Sequence, residues 1–149
     1  MVEDEAIRPW ITQSRQAVDL TATESWRLLA SVSLGRIVFT KDALPAIRPV
    51  NHLVDDHTII IRSHLGAAIV AHAAFDDGVV VCYEADDIDP VRHTGWSVVA
   101  TGTARLVDDP EAIARYEQQL APWVERQMDY VIAIRPQLIT GLRLAGWCR

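Results

Sequence analysis

The chain has 149 residues, 50% of them hydrophobic, which is enough for one domain with a substantial core and too few for two ordinary domains. Its formal charge of −6 argues against the clustered positive charge that binds nucleic acid. No apolar run approaches the ~20 residues of a membrane span, and the two cysteines, Cys82 and Cys148, lack the spacing of a disulfide framework or a thiolate metal site. We therefore expect a cytoplasmic protein that binds neither nucleic acid nor membranes.

The N-terminal segment shows no clean hydrophobic period, so we expect residues 1–20 to form an arm and residues 21–149 a single domain. Thr21-Ala22-Thr23-Glu24 matches a capping box, in which the threonine hydroxyl and the glutamate carboxylate each accept from a free amide at a helix start. This pattern predicts a helix from Ala22 to about Ser31. Trp26 is interpreted as a core residue of that helix.

Three strands are predicted next, as a meander. They span Gly35 to Thr40, Ala46 to Val54 and Thr58 to Ser63, with turns at Lys41 to Pro45 and at Asp55-Asp56-His57. The last strand is almost entirely β-branched before it ends in an arginine and a serine. The second and third strands therefore form a hairpin with polar groups at unusual places.

These polar groups suggest an anion site. Arg48 and Asn51 lie near the middle of one strand, and Arg62 and Ser63 end the next; arginine donors suit phosphate and carboxylate groups. In a regular hairpin the two-residue period puts the two arginines on opposite faces, so both contact one phosphate only if a bulge intervenes. A surface ion pair is the alternative for either arginine, which makes Ser63 the stronger candidate.

The next predicted elements are a helix from Ala67 to Ala74, a strand from Val79 to Ala85 and a loop from Asp86 to Thr94. A strand from Gly95 to Val107 follows, in which Gly102 indicates a bulge or a close backbone approach. The last predicted elements are a helix from Pro110 to about Leu120 capped by Asp109, and strands Tyr130 to Ile134 and Leu138 to Leu144 around Arg135-Pro136. Strands mostly follow strands directly. The predicted fold is mainly β: a six- to seven-stranded antiparallel barrel with about three short helices.

Motifs of common catalytic classes are missing from the sequence. There is no glycine-rich phosphate loop, no His-Glu-x-x-His motif and no paired-cysteine motif, so we assign no metal ligand and no catalytic residue. Ser97 lacks the glycine-flanked turn of a serine hydrolase. Trp96, Trp123 and Trp147 are each interpreted as packing residues, although together they could flank an aromatic ligand.

The order of these segments resembles the small flavin-binding relatives of pyridoxamine 5′-phosphate oxidase. The capped helix, GRIVFT, PAIRPVNHLV, IIIRS, GWSVVATGTA and ITGLRL carry the resemblance, which spans roughly Thr21 to Leu144 and is most specific from Pro45 to Asn51 and from Gly95 to Gly102. It implies a split β-barrel that forms a homodimer, with two FMN molecules in clefts at the subunit interface.

The resemblance also implies the cofactor contacts. They are Ile47, Arg48, Pro49, Val50 and Asn51 along the isoalloxazine ring, Ile61, Arg62 and Ser63 toward the phosphate, and Trp96 and Ser97 lining the cleft from the interface strand. Many relatives carry a lysine where this chain has Ala67 and Ala68, which leaves open either a weakly held FMN or a different flavin. The substrate-binding arginine and histidine of the true oxidases have no clear counterpart here, with Arg143 a distant candidate, so the resemblance does not imply pyridoxamine phosphate oxidation itself.

Two functions stay open on the sequence alone. Similar proteins include FMN proteins, nitroimidazole reductases, enzymes with a deazaflavin coenzyme and haem-binding members, and fold does not choose among them. The first hypothesis is an FMN-dependent oxidoreductase of unassigned small-molecule substrate. The second is a non-catalytic sensor or carrier of flavin, deazaflavin or haem.

Overall fold

The computed structural model describes residues 16–63, 78–121 and 130–145. Its elements are β1 (Gln16–Leu20), α1 (Ala22–Ala30), β2 (Leu34–Lys41), β3 (Leu44–Asp55), β4 (Thr58–Ser63), β5 (Val79–Asp89), β6 (Thr94–Leu106), α2 (Pro110–Gln119) and β7 (Tyr130–Ala145). This confirms the predicted mainly β class. The predicted helix from Ala67 to Ala74, the first 15 residues of the predicted arm, and Trp123 and Trp147 lie outside the described residues.

The strands close into a ring. They are ordered β1-β7-β4-β3-β2-β5-β6, every pair is antiparallel, and β6 also pairs with β7. β7 pairs with β6 along one edge, and along the other with β4 near its start and β1 near its end. The predicted split barrel is confirmed, and Gln16–Leu20, within the predicted arm, forms a strand of the sheet.

Hydrophobic side chains cover both faces of β4. Ile59 and Ile61 are fully buried in the main core inside the ring, whereas Ile60 belongs to a second cluster beneath α2. Successive side chains of a strand point to opposite faces, so a strand buried on both sides needs a continuous apolar run. This explains the three isoleucines in succession.

Both described helices begin at the residues that the sequence predicts. The Thr21 amide donates to the Glu24 carboxylate at 3.0 Å, and the Glu24 amide donates to the Thr21 hydroxyl at 3.2 Å, which completes the capping box. The Asp109 carboxylate accepts from the amides of Glu111 and Ala112 at the start of α2. Neither α1 nor α2, the helices of the described part of the chain, is long and apolar enough to cross a membrane.

β7 is one strand of 16 residues, so the prediction of two strands around Arg135-Pro136 is wrong. Thr101 lies opposite Leu138 and Gly102 opposite Pro136, which makes Gln137 the extra residue of a bulge. The predicted irregularity at Gly102 is therefore confirmed. A Cβ on Gly102 would lie 2.5 Å from the Cα of Pro136, so glycine alone permits this approach, and the bulge accommodates the missing proline N–H.

Two predicted loops are shorter than expected. β5 continues through the acidic segment to Asp89, which pairs with Thr94, and β3 begins at Leu44 instead of after Pro45. The strands extend beyond the core at these two places, where the side chains of Asp87 and Leu44 are exposed. Backbone pairing can therefore continue without burying the charge of Asp87.

Candidate functional site

β3 changes its partner strand midway. Its residues Leu44–Asn51 pair with β2, and His52–Asp55 pair with β4. Along Leu44–Asn51, the edge turned toward β4 therefore has no strand partner in the described ranges, while β4 itself runs on to Arg62 and Ser63. Backbone N–H and C=O groups at such an edge are available to a ligand. We call this region, Leu44–Asn51 with Arg62 and Ser63, the β3–β4 opening.

Three successive residues of the opening are exposed: Ile47, Arg48 and Pro49. A strand that packed on one face would bury every second residue, so neither face of this segment is covered within the described part of the chain. The Arg48 guanidinium donates to the Ile47 carbonyl at 2.7 Å, and Val50 packs partly against the main core. Pro49, which lacks an N–H, is a residue tolerated at strand edges.

The two arginines of the opening lie on opposite faces. His52 pairs with Ile61, so Arg48, four residues before His52, shares the face of Ile61, whereas Arg62 is on the other face. Ile61 is fully buried in the main core, and Ser63 is buried on the same face. The Ile61 side chain is therefore turned away from the opening, which leaves its backbone as the possible contact.

Arg62 is held by the C-terminal end of α2. Its guanidinium donates to the carbonyl oxygens of Leu120 at 2.9 Å and Glu117 at 3.4 Å, and the Asn51 amide donates to the Ala121 carbonyl at 3.1 Å. Carbonyls in the last turn of a helix lack partners within the helix, and α2 has no basic residue there. Arg62 and Asn51, both predicted cofactor contacts, thus hold the C-terminal end of α2 in place.

Trp96 and Ser97 alternate on β6 and face opposite ways. Trp96 is buried in the main core, whereas Ser97 is half-buried on the outer face, between Asp86 of β5 and Leu142 of β7. The structure therefore does not bring the two side chains together. β5 and β2 also separate β6 from β3 in the ring of one chain.

A buried hydrogen-bond chain lies behind the opening. The His52 Nε2 is 2.8 Å from the Leu29 carbonyl, which can only accept, so Nε2 carries the proton and Nδ1 accepts from the Tyr83 hydroxyl at 2.6 Å. Burial lowers the pKa of His52 and raises the pKa of Tyr83. Sequence reasoning assigns no role to His52, and its position directly after the predicted ring-contact segment, Ile47–Asn51, is the one signal available.

Acidic side chains surround Arg36 on the far side of β2. Its guanidinium lies 3.1 Å from the Glu84 carboxylate and 3.5 Å from that of Asp86, and burial together with Asp86 raises the pKa of Glu84. A recess of about 400 Å³ lies between residues 31–34 and Asp86–Asp87. The carboxylates outnumber the arginine, so this recess is poorly suited to a phosphate group.

Comparison with known proteins identifies the family. The family model for pyridoxamine 5′-phosphate oxidase matches residues 21–143. The chain belongs to this family. The resemblance drawn from the hairpin and the β6 sequence is thereby confirmed, and its predicted span agrees with the matched residues.

Relatives of the chain cover most of its length. The uncharacterized protein Rv0080 of Mycobacterium tuberculosis is 56% identical over 135 residues, which is 89% of each chain. The structure of the FAD binding protein from Mycobacterium smegmatis is 38% identical, covers 85% of this chain and 96% of that one, and has a TM-score of 0.66. A crystal structure from Corynebacterium glutamicum, assigned to the same family, is 32% identical, covers 86% and 98%, and has a TM-score of 0.72.

Proposed function

We propose that the protein binds a flavin in the β3–β4 opening and acts as a flavin-dependent oxidoreductase on a small molecule. The observation that carries this proposal is the edge of Leu44–Asn51, which has no strand partner among residues 16–63, 78–121 and 130–145, in a chain 38% identical to an FAD binding protein. When bound, the flavin supplies the hydride or electron transfer. The protein binds and orients it.

The residues of the opening fit such a ligand. Backbone groups of Ile47–Asn51 can hydrogen-bond the polar edge of the ring, and the exposed Ile47 side chain offers an apolar contact. At the end of β4 the side chains of Arg62 and Ser63 face opposite ways, so the Arg62 guanidinium and the Ser63 backbone would contact the phosphate.

Titration of the protein with FMN, FAD and riboflavin tests flavin binding and identifies the flavin. We expect quenching of flavin fluorescence, with FMN bound more tightly than riboflavin because of its phosphate. FAD is included because the relative from M. smegmatis binds it. An absorption spectrum of freshly purified protein separates flavin, deazaflavin and haem, and no binding of any flavin at millimolar concentration would refute the proposal.

A second candidate function is flavin binding without turnover. In the segments that form the opening, the titratable side chains are Arg48 and Arg62, and arginine is neither an acid nor a base near neutral pH. His52 and Tyr83 lie behind the opening and hydrogen-bond each other. Oxidation of NADH or NADPH faster than by free flavin would support the enzyme and exclude this alternative.

The proposal includes a homodimer. Five large apolar side chains on the outer face of β5, β6 and β7 are between 37% and 72% exposed in one chain: Val80, Ile88, Val99, Leu138 and Leu142. They share this face by the strand register, together with Ser97. We call it the outer apolar face. A second copy would cover it and bring Ser97 toward the flavin of its partner.

A further inference from the structure

We propose that Tyr83 and His52 are positioning residues that set the geometry of the flavin-binding edge of β3. The inference rests on the proposed flavin site. It assigns a role to two buried side chains that do not reach the opening themselves. Both act through the β3 backbone. His52 belongs to β3, and the Tyr83 hydroxyl lies close to the β3 backbone.

His52 stands where β3 leaves β2 and joins β4. Its backbone N–H donates to the Ser33 carbonyl at 2.8 Å, and its ring donates to the Leu29 carbonyl at the same distance. The first bond ties β3 to the connection before β2, and the second ties it to the last turn of α1. His52, which directly follows the proposed flavin-binding segment Leu44–Asn51, is therefore held from two directions.

Tyr83 completes this attachment from β5. Its hydroxyl donates to His52 Nδ1 at 2.6 Å and lies 3.4 Å from the carbonyl oxygen of Val50, inside the flavin-binding segment. Gly35, which pairs with Val50, makes room for the tyrosine, because a Cβ there would lie 2.6 Å from Tyr83 Cζ. One buried hydroxyl therefore touches both sides of the point where β3 changes partners.

The position of the Tyr83 hydroxyl affects the geometry of β3 because the segment before His52 is paired with a strand along one edge, that toward β2. Leu44–Asn51 are held by β2, and no second strand restrains them within the described residues. Removing the hydroxyl would leave His52 Nδ1 buried without a donor, a state that a shift of the strand can relieve. That shift would move the backbone groups that meet the flavin.

A matched pair of substitutions tests the inference. Tyr83→Phe and Tyr116→Phe each remove one hydroxyl that donates a 2.6 Å hydrogen bond, to His52 in the first case and to the Asp55 carboxylate in the second. We expect Tyr83→Phe to weaken flavin binding about tenfold and to shift the absorption bands of the bound flavin, whereas Tyr116→Phe changes affinity less than about threefold. Equal effects of the two variants would overturn the inference.

The outcome for wild-type protein separates this inference from the proposed function. A wild type that binds no flavin refutes the function, whereas a wild type that binds flavin, with Tyr83→Phe unchanged, refutes the positioning role alone. His52→Gln keeps a donor and an acceptor, so it should retain more affinity than His52→Leu. If the Tyr83 variant does not fold, ¹⁵N chemical shifts of wild-type His52 decide, because a ring protonated at Nδ1 at neutral pH contradicts the hydrogen-bond chain.

Discussion

The β3–β4 opening and the outer apolar face are both exposed in a single chain, but they expose different chemical groups. Along Leu44–Asn51 the backbone edge toward β4 lacks a partner within the part of the chain that the structure describes, whereas β6 is paired with both β5 and β7 and exposes only side chains. An unpaired edge offers directional hydrogen bonds to a polar planar ligand. A paired, apolar face offers area for a protein surface.

The largest expected effect is at the outer apolar face. Leu138→Asp should weaken the homodimer by about 2–4 kcal/mol, because it places a charge in a desolvated contact. Val91→Asp is the control, since Val91 is 86% exposed in the turn between β5 and β6, outside the paired part of both strands. Sedimentation equilibrium measures both variants. A wild type that is monomeric at micromolar concentration would show that this face does not bind a second copy.

A smaller effect is expected at the opening, from the two arginines on opposite faces. Arg62→Ala should weaken FMN by about 1.5–3 kcal/mol and leave riboflavin almost unchanged, because riboflavin has no phosphate. It should also lower the free energy of unfolding by about 1 kcal/mol, because the carbonyls of Leu120 and Glu117 lose a donor. Fluorescence titration and urea denaturation give the two quantities.

Arg48→Ala is the matched control for that experiment. Within the described residues its guanidinium donates to the carbonyl of the adjacent Ile47, so we expect a change in unfolding free energy within about 0.5 kcal/mol and no phosphate-specific loss. If Arg62→Ala lowers stability but affects FMN and riboflavin equally, Arg62 serves α2 alone, and the phosphate must be placed elsewhere in the opening.

The smallest effect concerns the junction between the two halves of β3. Burial lowers the pKa of His52 in the folded protein, so below about pH 6.5 the unfolded chain binds a proton that the folded chain does not. Stability should fall as the pH drops below that value, by at most about 1.4 kcal/mol per pH unit from this group. Urea denaturation at several pH values from roughly 5 to 7.5, which bracket the pKa of an ordinary histidine, measures this pH dependence of the free energy of unfolding. We expect His52→Gln to lose the dependence that His52 causes and His57→Gln to keep it.

The fold was largely predictable because neighbouring residues carry its signals. The pair Thr21 and Glu24 marks the start of α1, the isoleucines of β4 mark a strand buried on both faces, and Gly102 marks the bulge. Pro136 misled the prediction of β7, since proline usually interrupts a strand. The bulge that tolerates it depends on a glycine of another strand.

The site was less predictable because its contacts join distant parts of the chain. The carbonyl partners of Arg62 lie 55 and 58 positions further along, and no local pattern indicates them. A tryptophan fits a core or a cleft equally well, and only the folded strand places Trp96 inside and Ser97 outside. His52 is buried because Tyr83 and Leu29 supply its partners, which its own neighbours in sequence do not reveal.

The bulge at Gln137 also sets how this chain could change its association during evolution. Before it, the even-numbered Ile132 and Ile134 face the core; after it, Leu138 and Leu142, also even-numbered, face outward. Loss of the Gln137 codon would leave both leucines outward, because Pro136 and Leu138 already lie opposite successive residues of β6. Loss of one codon between the two leucines would instead turn Leu142 inward without altering it. A length change of one residue, and not only substitution, is therefore a route by which descendants of this protein can gain or lose a partner.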